Sequence, residues 1–476
     1  MESYAMTIAG ERLELPARFA VINPANGQAF AEVPAAGVAE LDAAVAAARA
    51  AFPAWSATAD DERRRLIHAL GDLLEGHMPE LMKIVTQETG KPLAGLNGVG
   101  SGMELGGAIA WTHVTADLDL PVEVIQDDAM ARVEVHRKPL GVVASITPWN
   151  WPLMIAIWHV IPALRAGNTV VVKPSELTPV STLRFVELAN TVLPPGVLNV
   201  VSATRVSGVG EAIARHPGID KIVFTGSTPT GRRIMASAAG NLKRLTLELG
   251  GNDAGIVLPD VDPKAVAEKL FGVAFHNNGQ TCACLKRLYV HESVYEAVCA
   301  ELARLAREVR VGDGMQPENL LGPIQNPQQR AYVDELVADA RARGVRILAG
   351  GEPVVGPGYF YKPTVIADAT DGMRIVDEEQ FGPVLPVIRY ADIEDAIRRA
   401  NDNPNGLGGS IWSADPAAAA ALARRLECGT AWVNEHGALQ PNAPFGGVKQ
   451  SGLGVEFGSY GLEEYTSLQT LKVMKS

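Results

Sequence analysis

From residue 134 onward, short runs of β-branched residues alternate with longer stretches whose apolar positions recur every three or four residues. That alternation predicts βαβ units built on a buried parallel sheet. The expected strands are 141–146, 169–173, 197–201, 221–225 and 244–249, with helices at 152–166, 179–193 and 229–238 between them. Several of these helices open on proline, which suits a first turn because its missing N–H would have no intrahelical partner there. The block reads as a doubly wound dinucleotide-type domain.

The first hundred residues read as mainly helical, with an Ala-rich segment at 41–52 and one long amphipathic stretch at 60–89 placed over that sheet. After Gly250 a second α/β block is expected. Its helices are 263–276, 293–309 and 328–343, with strands at 288–291 and near 345–348, 384–388 and 430–433. Two pieces fit neither block. Alternating segments at 120–123 and 131–137 flank the turn-like Gln126-Asp127-Asp128, and 466–474 is a further strand candidate. Free strand edges of this kind are usually covered by pairing.

A chain of 476 residues, 47% hydrophobic and 20% charged, supports two or three domains with sizeable cores and excludes extended disorder. The formal net charge is -12 with both signs interspersed, so no basic stripe is present to track nucleic acid. Arg63, Arg64 and Arg65 follow Asp60, Asp61 and Glu62, an order that complements a helix dipole on a solvated face. The four cysteines, at 282, 284, 299 and 428, form neither a disulfide framework nor a zinc-type spacing. A reducing, cytoplasmic setting without a metal is expected, and no stretch has the pattern of a signal peptide or a membrane span.

Three local features carry candidate chemistry. In Phe275-His-Asn-Asn-Gly-Gln-Thr-Cys-Ala-Cys284, Cys282 stands just after a glycine at the edge of an expected helix. A reactive thiol needs help to ionise, and read locally a small buried apolar cysteine is the commoner case. Glu248 interrupts an apolar strand directly before Leu249-Gly250-Gly251, at the strand end where parallel sheets bind ligands. A solvated strand-end acid has the same pattern. Asn150, within Thr147-Pro-Trp-Asn-Trp-Pro152, offers an amide to an oxyanion or simply stabilises a turn. Gly226-Ser-Thr-Pro-Thr-Gly231 opens a helix with free N–H groups, but no Lys-Ser or Lys-Thr pair follows, so a P-loop kinase is excluded.

Taken together and in order, T-P-W-N-W-P, K-P-S-E (173–176), F-T-G-S-T (224–228), E-L-G-G (248–251), G-Q-T-C (279–282), E-E-Q-F-G-P-V (378–384) and P-F-G-G-V-K-Q-S-G (444–452) resemble the aldehyde dehydrogenase superfamily over nearly the whole chain. The resemblance implies an α/β fold: an NAD-binding domain (1–118 and 138–248), a catalytic domain (249–459) and a small β oligomerisation element (119–137 and 460–476). It implies that Cys282 attacks an aldehyde, that Asn150 and the Cys282 N–H hold the oxyanion, and that Glu248 activates water to hydrolyse the thioester.

The same resemblance assigns cofactor contacts to Ile146, Thr147, Pro148, Trp149, Lys173, Ser175, Glu176, Gly226, Ser227, Leu249, Gln329, Glu379 and Phe381. A carboxylate at 176 accepts from ribose hydroxyls and repels a 2′-phosphate, which favours NAD over NADP. The implied substrate channel is lined by Trp151, Ile155, Trp158, His276, Thr281, Ala283, Leu439 and Phe445. With no Lys or Arg among them, apolar aliphatic or aromatic aldehydes are expected rather than semialdehydes.

Betaine aldehyde is an alternative weakened by Leu439, which replaces an aromatic of betaine-specific relatives. Asn252 stands where many relatives have lysine, and His276 replaces a common channel aromatic. A CoA-acylating route is disfavoured by Glu248, and a catalytically lapsed binding protein by the intact Cys282, Asn150 and Glu248. A homodimer or homotetramer is the expected assembly.

Overall fold

The computed structural model describes residues 2–475. The outermost positions of the expected segments 1–118 and 460–476, residues 1 and 476, lie outside the described residues. The first α/β block is centred on a six-stranded sheet, ordered Leu198–Val200, Thr169–Lys173, Val142–Ile146, Lys221–Thr225, Arg244–Glu248 and Gly452–Leu453. The first five strands are parallel and the last antiparallel. Chain order reverses on either side of Val142–Ile146, the doubly wound arrangement, whose ligand crevice lies beyond the carboxyl ends of the strands at that switch.

Register pairs Ile146 with Lys173 and Thr225 with Glu248, so the loops that begin at these four residues leave the sheet from one edge. The central strands are buried, which is why they read as unbroken Val and Ile runs rather than alternating ones.

A second sheet has seven strands, ordered Arg346–Ala349, Thr364–Ala367, Val384–Tyr390, Leu285–His291, Asp253–Val257, Gly408–Trp412 and Thr430–Val433. Only the Arg346–Ala349 pairing is antiparallel. Three of its strands escaped the sequence pattern. Asp253–Val257 begins on an acid and Gly408–Trp412 on two glycines, and Thr364–Ala367 has only four residues.

Two expectations about the first hundred residues are corrected. Five short strands precede the first helix, among them Arg18–Asn23 and Gln28–Pro34, an antiparallel pair joined through Asn26-Gly27 with Gly27 at φ +71. An Asn-Gly turn between alternating segments is itself a hairpin signal. The stretch 60–89 is two helices, Asp60–Gly76 and Met78–Thr89, because Pro79 cannot continue a helix through His77.

A three-stranded antiparallel sheet, Thr466–Met474, Ala131–Pro139 and Glu123–Asp127, takes up both pieces that fitted neither block. Its outer strand is Glu123–Asp127 rather than 120–123, and the turn falls at 128–130, where Asp128 accepts from the N–H groups of Met130 and Ala131, so Gln126 and Asp127 belong to the strand. Its apolar Leu468, Val473 and Met474 are 65%, 49% and 64% exposed. Among the described residues no helix is long and apolar enough to cross a membrane.

Candidate active site

The turn bearing Asn150 is held from below by a buried ion pair. Lys91 Nζ donates to the Asn150 carbonyl at 3.0 Å and pairs with Glu104, both side chains being fully enclosed. The other Glu104 oxygen accepts from the N–H groups of Leu153 and Met154 at 3.1 and 3.2 Å, satisfying the open first turn of the helix Pro152–Arg165. Lys91 also lies over the Trp151 ring, 3.2 Å from its centroid. One Asn150 N–H donates to the Gln280 carbonyl at 3.0 Å; the amide has a second N–H, which is the donor available to a ligand.

A buried pair that loses one member leaves an uncompensated charge. Lys91→Met is therefore expected to destabilise the protein by roughly 3–5 kcal/mol. Urea unfolding measures it, and an unchanged midpoint would contradict the bracing role.

The cysteine loop is shaped by backbone conformation. Asn277, Asn278 and Gly279 have φ of 48°, 58° and 70°, a left-handed run that Asn and Gly tolerate best. A Cβ at Gly279 would stand 2.2 Å from the Gly382 carbonyl, so only glycine fits. Gln280 fixes the loop by donating to the Asn277 carbonyl at 3.0 Å and accepting from the Gln325 N–H at 2.8 Å. Thr281 accepts from the Trp151 indole at 3.1 Å.

Cys282 is half-buried and unpaired, whereas Cys284 is buried with its sulfur 3.1 Å from the Thr281 carbonyl. Burial pushes the Cys282 thiol up to about 12, with the charge of Lys286 opposing and those of Glu379, Glu248 and Asp253 reinforcing the rise.

Glu248 reaches the same region because the glycines after it admit close approach. A Cβ at Gly251 would lie 2.5 Å from the Cys282 carbonyl, and one at Gly446 would lie 3.2 Å from Glu248 Oε1. Among the described residues, neither carboxylate oxygen of the buried Glu248 has a hydrogen-bond partner. Burial raises its pKa well above the carboxylate range, and the negative charge of Glu456 adds to the rise. An unpartnered carboxyl with raised pKa is suited to exchanging a proton with a bound water.

At the sheet edge, Ile146 ends its strand, and the Thr147 N–H donates to the Lys173 carbonyl at 3.2 Å. Pro148 precedes Trp149, whose ring meets Phe381 edge-on at 5.3 Å. Lys173 Nζ donates to the Pro174 carbonyl at 3.1 Å, Ser175 accepts from the Leu177 N–H at 3.3 Å, and Glu176 accepts from the Arg205 N–H. Gly226 and the exposed Ser227 lead into the helix Thr228–Ala238, whose first turn has no side-chain cap. The Leu249 N–H donates to the Ser451 carbonyl at 2.8 Å.

Glu379 accepts from the Gly251 N–H at 3.2 Å and pairs with Lys286 at 2.9 Å. Gln329 donates to the carbonyls of Gln380 and Phe381 at 2.9 and 3.2 Å, so its amide supports this loop.

Trp151, Ile155, Trp158, Ala283, Leu439 and Phe445 cluster with Cys282. His276 donates through Nδ1 to the Gly272 carbonyl at 3.1 Å, and burial pushes its pKa down to about 4, so the ring is neutral. Sequence reasoning missed Trp111 and Phe457. Trp158 and Phe457 meet edge-on at 4.7 Å, and Trp111 lies 5.6 and 5.3 Å from them. It also missed Lys91, Glu104, Lys286, and Glu456 with its neighbour His159 at 3.1 Å. Only the lysine four residues after Cys282 left a visible signal, a charge at the head of an apolar strand.

The aldehyde dehydrogenase family model matches residues 13–471. The chain is similar to phenylacetaldehyde dehydrogenase of Pseudomonas fluorescens, 40% identical over 469 residues that cover 95% of this chain and 92% of that one. It is 36% identical to betaine aldehyde dehydrogenase of Bacillus subtilis, covering 94% of this chain and 92% of that one. Among solved structures, an NAD+ complex of aldehyde dehydrogenase from Bacillus cereus matches with a TM-score of 0.96 at 36% identity, covering 100% of this chain and 97% of that one.

Proposed function

Since this chain belongs to the aldehyde dehydrogenase family, we propose that it oxidises apolar aldehydes, aromatic ones foremost, to carboxylates with NAD+ through a thioester on Cys282. The observation that carries this reading is the half-buried thiol beneath an aromatic cluster, with a braced amide and an unpartnered carboxyl close by.

In this reading Cys282 gives up its thiol proton to solvent, Sγ bonds to the aldehyde carbon as the C=O π bond opens, and the oxygen becomes an anion that accepts from the free Asn150 N–H and the Cys282 N–H. The aldehyde carbon loses hydride and becomes a thioester carbon. Glu248 then takes a proton from water as its oxygen attacks that carbon, the C–S bond breaks, and the carboxylate leaves with the thiol restored.

The cofactor site is a proposal supported by fit. The uncapped turn at Thr228 offers N–H groups to a pyrophosphate. Gly250 leaves Glu379 the space that a Cβ would fill, 2.5 Å from Oε2. Lys173 and Glu176 would meet the adenosine ribose, with Ser175 beside them, and Glu379 and Phe381 the nicotinamide ribose and ring. Bound there, NAD+ supplies the hydride acceptor. Glu176 favours it over NADP+ by repelling a 2′-phosphate.

Trp111, Trp158 and Phe457 present ring edges and faces suited to an aryl group, and Lys91, whose ammonium lies over Trp151, is paired with Glu104 rather than free to neutralise a distal carboxylate. The same rings suit a quaternary ammonium, which makes betaine aldehyde the second reading.

Measuring NADH formation from phenyl-, alkyl-, trimethylammonio- and carboxyl-bearing aldehydes separates these readings. Phenyl and alkyl substrates are expected to lead in kcat/KM by about tenfold or more, the scale on which apolar pockets discriminate. A preference for the carboxyl-bearing aldehydes would overturn the pocket reading. Homo-oligomerisation through the three-stranded sheet belongs to the same proposal, supported by its exposed Leu468, Val473 and Met474. So does a cytoplasmic setting, suggested by the four unpaired cysteines.

A further inference from the structure

Lys286 is 2% exposed and stands at the head of the strand Leu285–His291, four residues after Cys282. Its ammonium donates to the Cys282 carbonyl at 2.5 Å and pairs with Glu379 at 2.9 Å. It also lies 5.8 Å from the centre of the Phe381 ring. Enclosing an ammonium costs several kcal/mol unless strong partners repay it, so its presence here requires a return. Part of that return is geometric: one side chain ties the cysteine loop to the segment 379–381 and to the Gly251 N–H that shares Glu379.

The rest is electrostatic. The charged groups that weigh on Cys282 are Lys286, Glu379, Glu248 and Asp253, and only the first is a cation. Burial pulls the Lys286 ammonium down, but the facing carboxylates of Glu379 and Asp253, with the titratable sulfurs of Cys284 and Cys282 beside them, hold it above the usual lysine range.

We propose that Lys286 is a positioning residue for the nucleophile: its buried ammonium clamps the Cys282 carbonyl against Glu379 and supplies the positive charge that a thiolate at Cys282 requires. Glu379 acts in the opposite sense, because it neutralises that charge and adds its own. Whatever draws the Glu379 carboxylate away therefore leaves more of the Lys286 field to the sulfur. This rests on the reading of Cys282 as nucleophile, and it links thiol reactivity to the residue assigned to the nicotinamide ribose.

The test is the pH dependence of iodoacetamide alkylation of Cys282 in the protein without cofactor, followed by peptide mass mapping so that Cys284, Cys299 and Cys428 do not contribute. Lys286→Met is expected to move the alkylation profile to higher pH by one unit or more, which slows the reaction about tenfold at a fixed pH on the rising limb. Lys286→Arg is expected to recover most of that loss. Glu379→Gln is expected to move the profile the other way, to lower pH. This opposite sign distinguishes an electrostatic role from a structural one and holds the test open if Lys286→Met does not fold.

Coincident profiles for the wild type and Lys286→Met, or for the wild type and Glu379→Gln, would overturn the proposal. The readout needs no turnover, so it stands apart from the parent reading. That reading fails instead if Cys282→Ala still oxidises aldehydes.

Discussion

Cys282→Ala is expected to abolish aldehyde oxidation while leaving NAD+ affinity close to that of the wild type. Deleting the nucleophile of an enzyme that works through a covalent intermediate costs on the order of 10⁴-fold or more in turnover, because the remaining groups have no bond to stabilise. Cys284 cannot substitute. It is buried and its sulfur is engaged with the Thr281 carbonyl at 3.1 Å, whereas Cys282 is only half-buried, against Trp151, Trp158 and Phe445.

Cys284→Ser is the matching control and should keep most activity. The measurement is steady-state NADH formation alongside NAD+ titration by fluorescence. Undiminished turnover in Cys282→Ala would remove the covalent mechanism altogether. Loss of cofactor binding in the same variant would show that the substitution had disturbed the loop rather than the chemistry.

Glu248→Gln is expected to separate the two halves of the reaction. Formation of the thioester, which needs the thiol and the oxyanion donors, should persist as a burst of NADH. Hydrolysis should slow by about 10²–10⁴-fold, the usual contribution of a general base, and the acyl group should be recoverable on Cys282 by mass spectrometry. Rapid mixing that showed unaltered steady turnover would overturn the assignment.

The direction of the pH dependence follows from the site. Glu248 is pushed well above the carboxylate range first by burial and then by the negative charge of Glu456. Protonated Glu248 cannot accept a proton from water, so hydrolysis should rise with pH through this elevated pKa. Glu456→Gln removes one of the two causes and should move that limb to lower pH. A shift to higher pH, or none, would mean that Glu456 does not act on Glu248.

Much of the fold was legible because buried parallel strands carry a local signature. The runs Thr169–Lys173 and Lys221–Thr225 coincide with the expected segments, and the helices Pro152–Arg165 and Thr228–Ala238 begin within a residue of where proline placed them. The misses have local causes too. A hairpin ahead of the first helix was passed over despite its Asn-Gly turn, and a single amphipathic period across 60–89 hid the break that Pro79 imposes.

By itself the sequence determined the five parallel strands of the first sheet, the seven motifs and hence the family, because each depends on residues adjacent along the chain. It also explains the cysteine loop, since Asn277-Asn278-Gly279 is a run that tolerates left-handed backbone. Only the tertiary structure decided which further groups brace Asn150 and Glu248 and line the pocket. Lys91 and Glu104 lie far before Asn150, Trp111 precedes Phe457 by most of the chain, and Glu456 follows Glu248 by some two hundred residues. Charge weakens with distance and ring contact acts only over a few ångströms, so Lys286, which no motif names, acquires a meaning only when the fold brings it to 2.9 Å from Glu379.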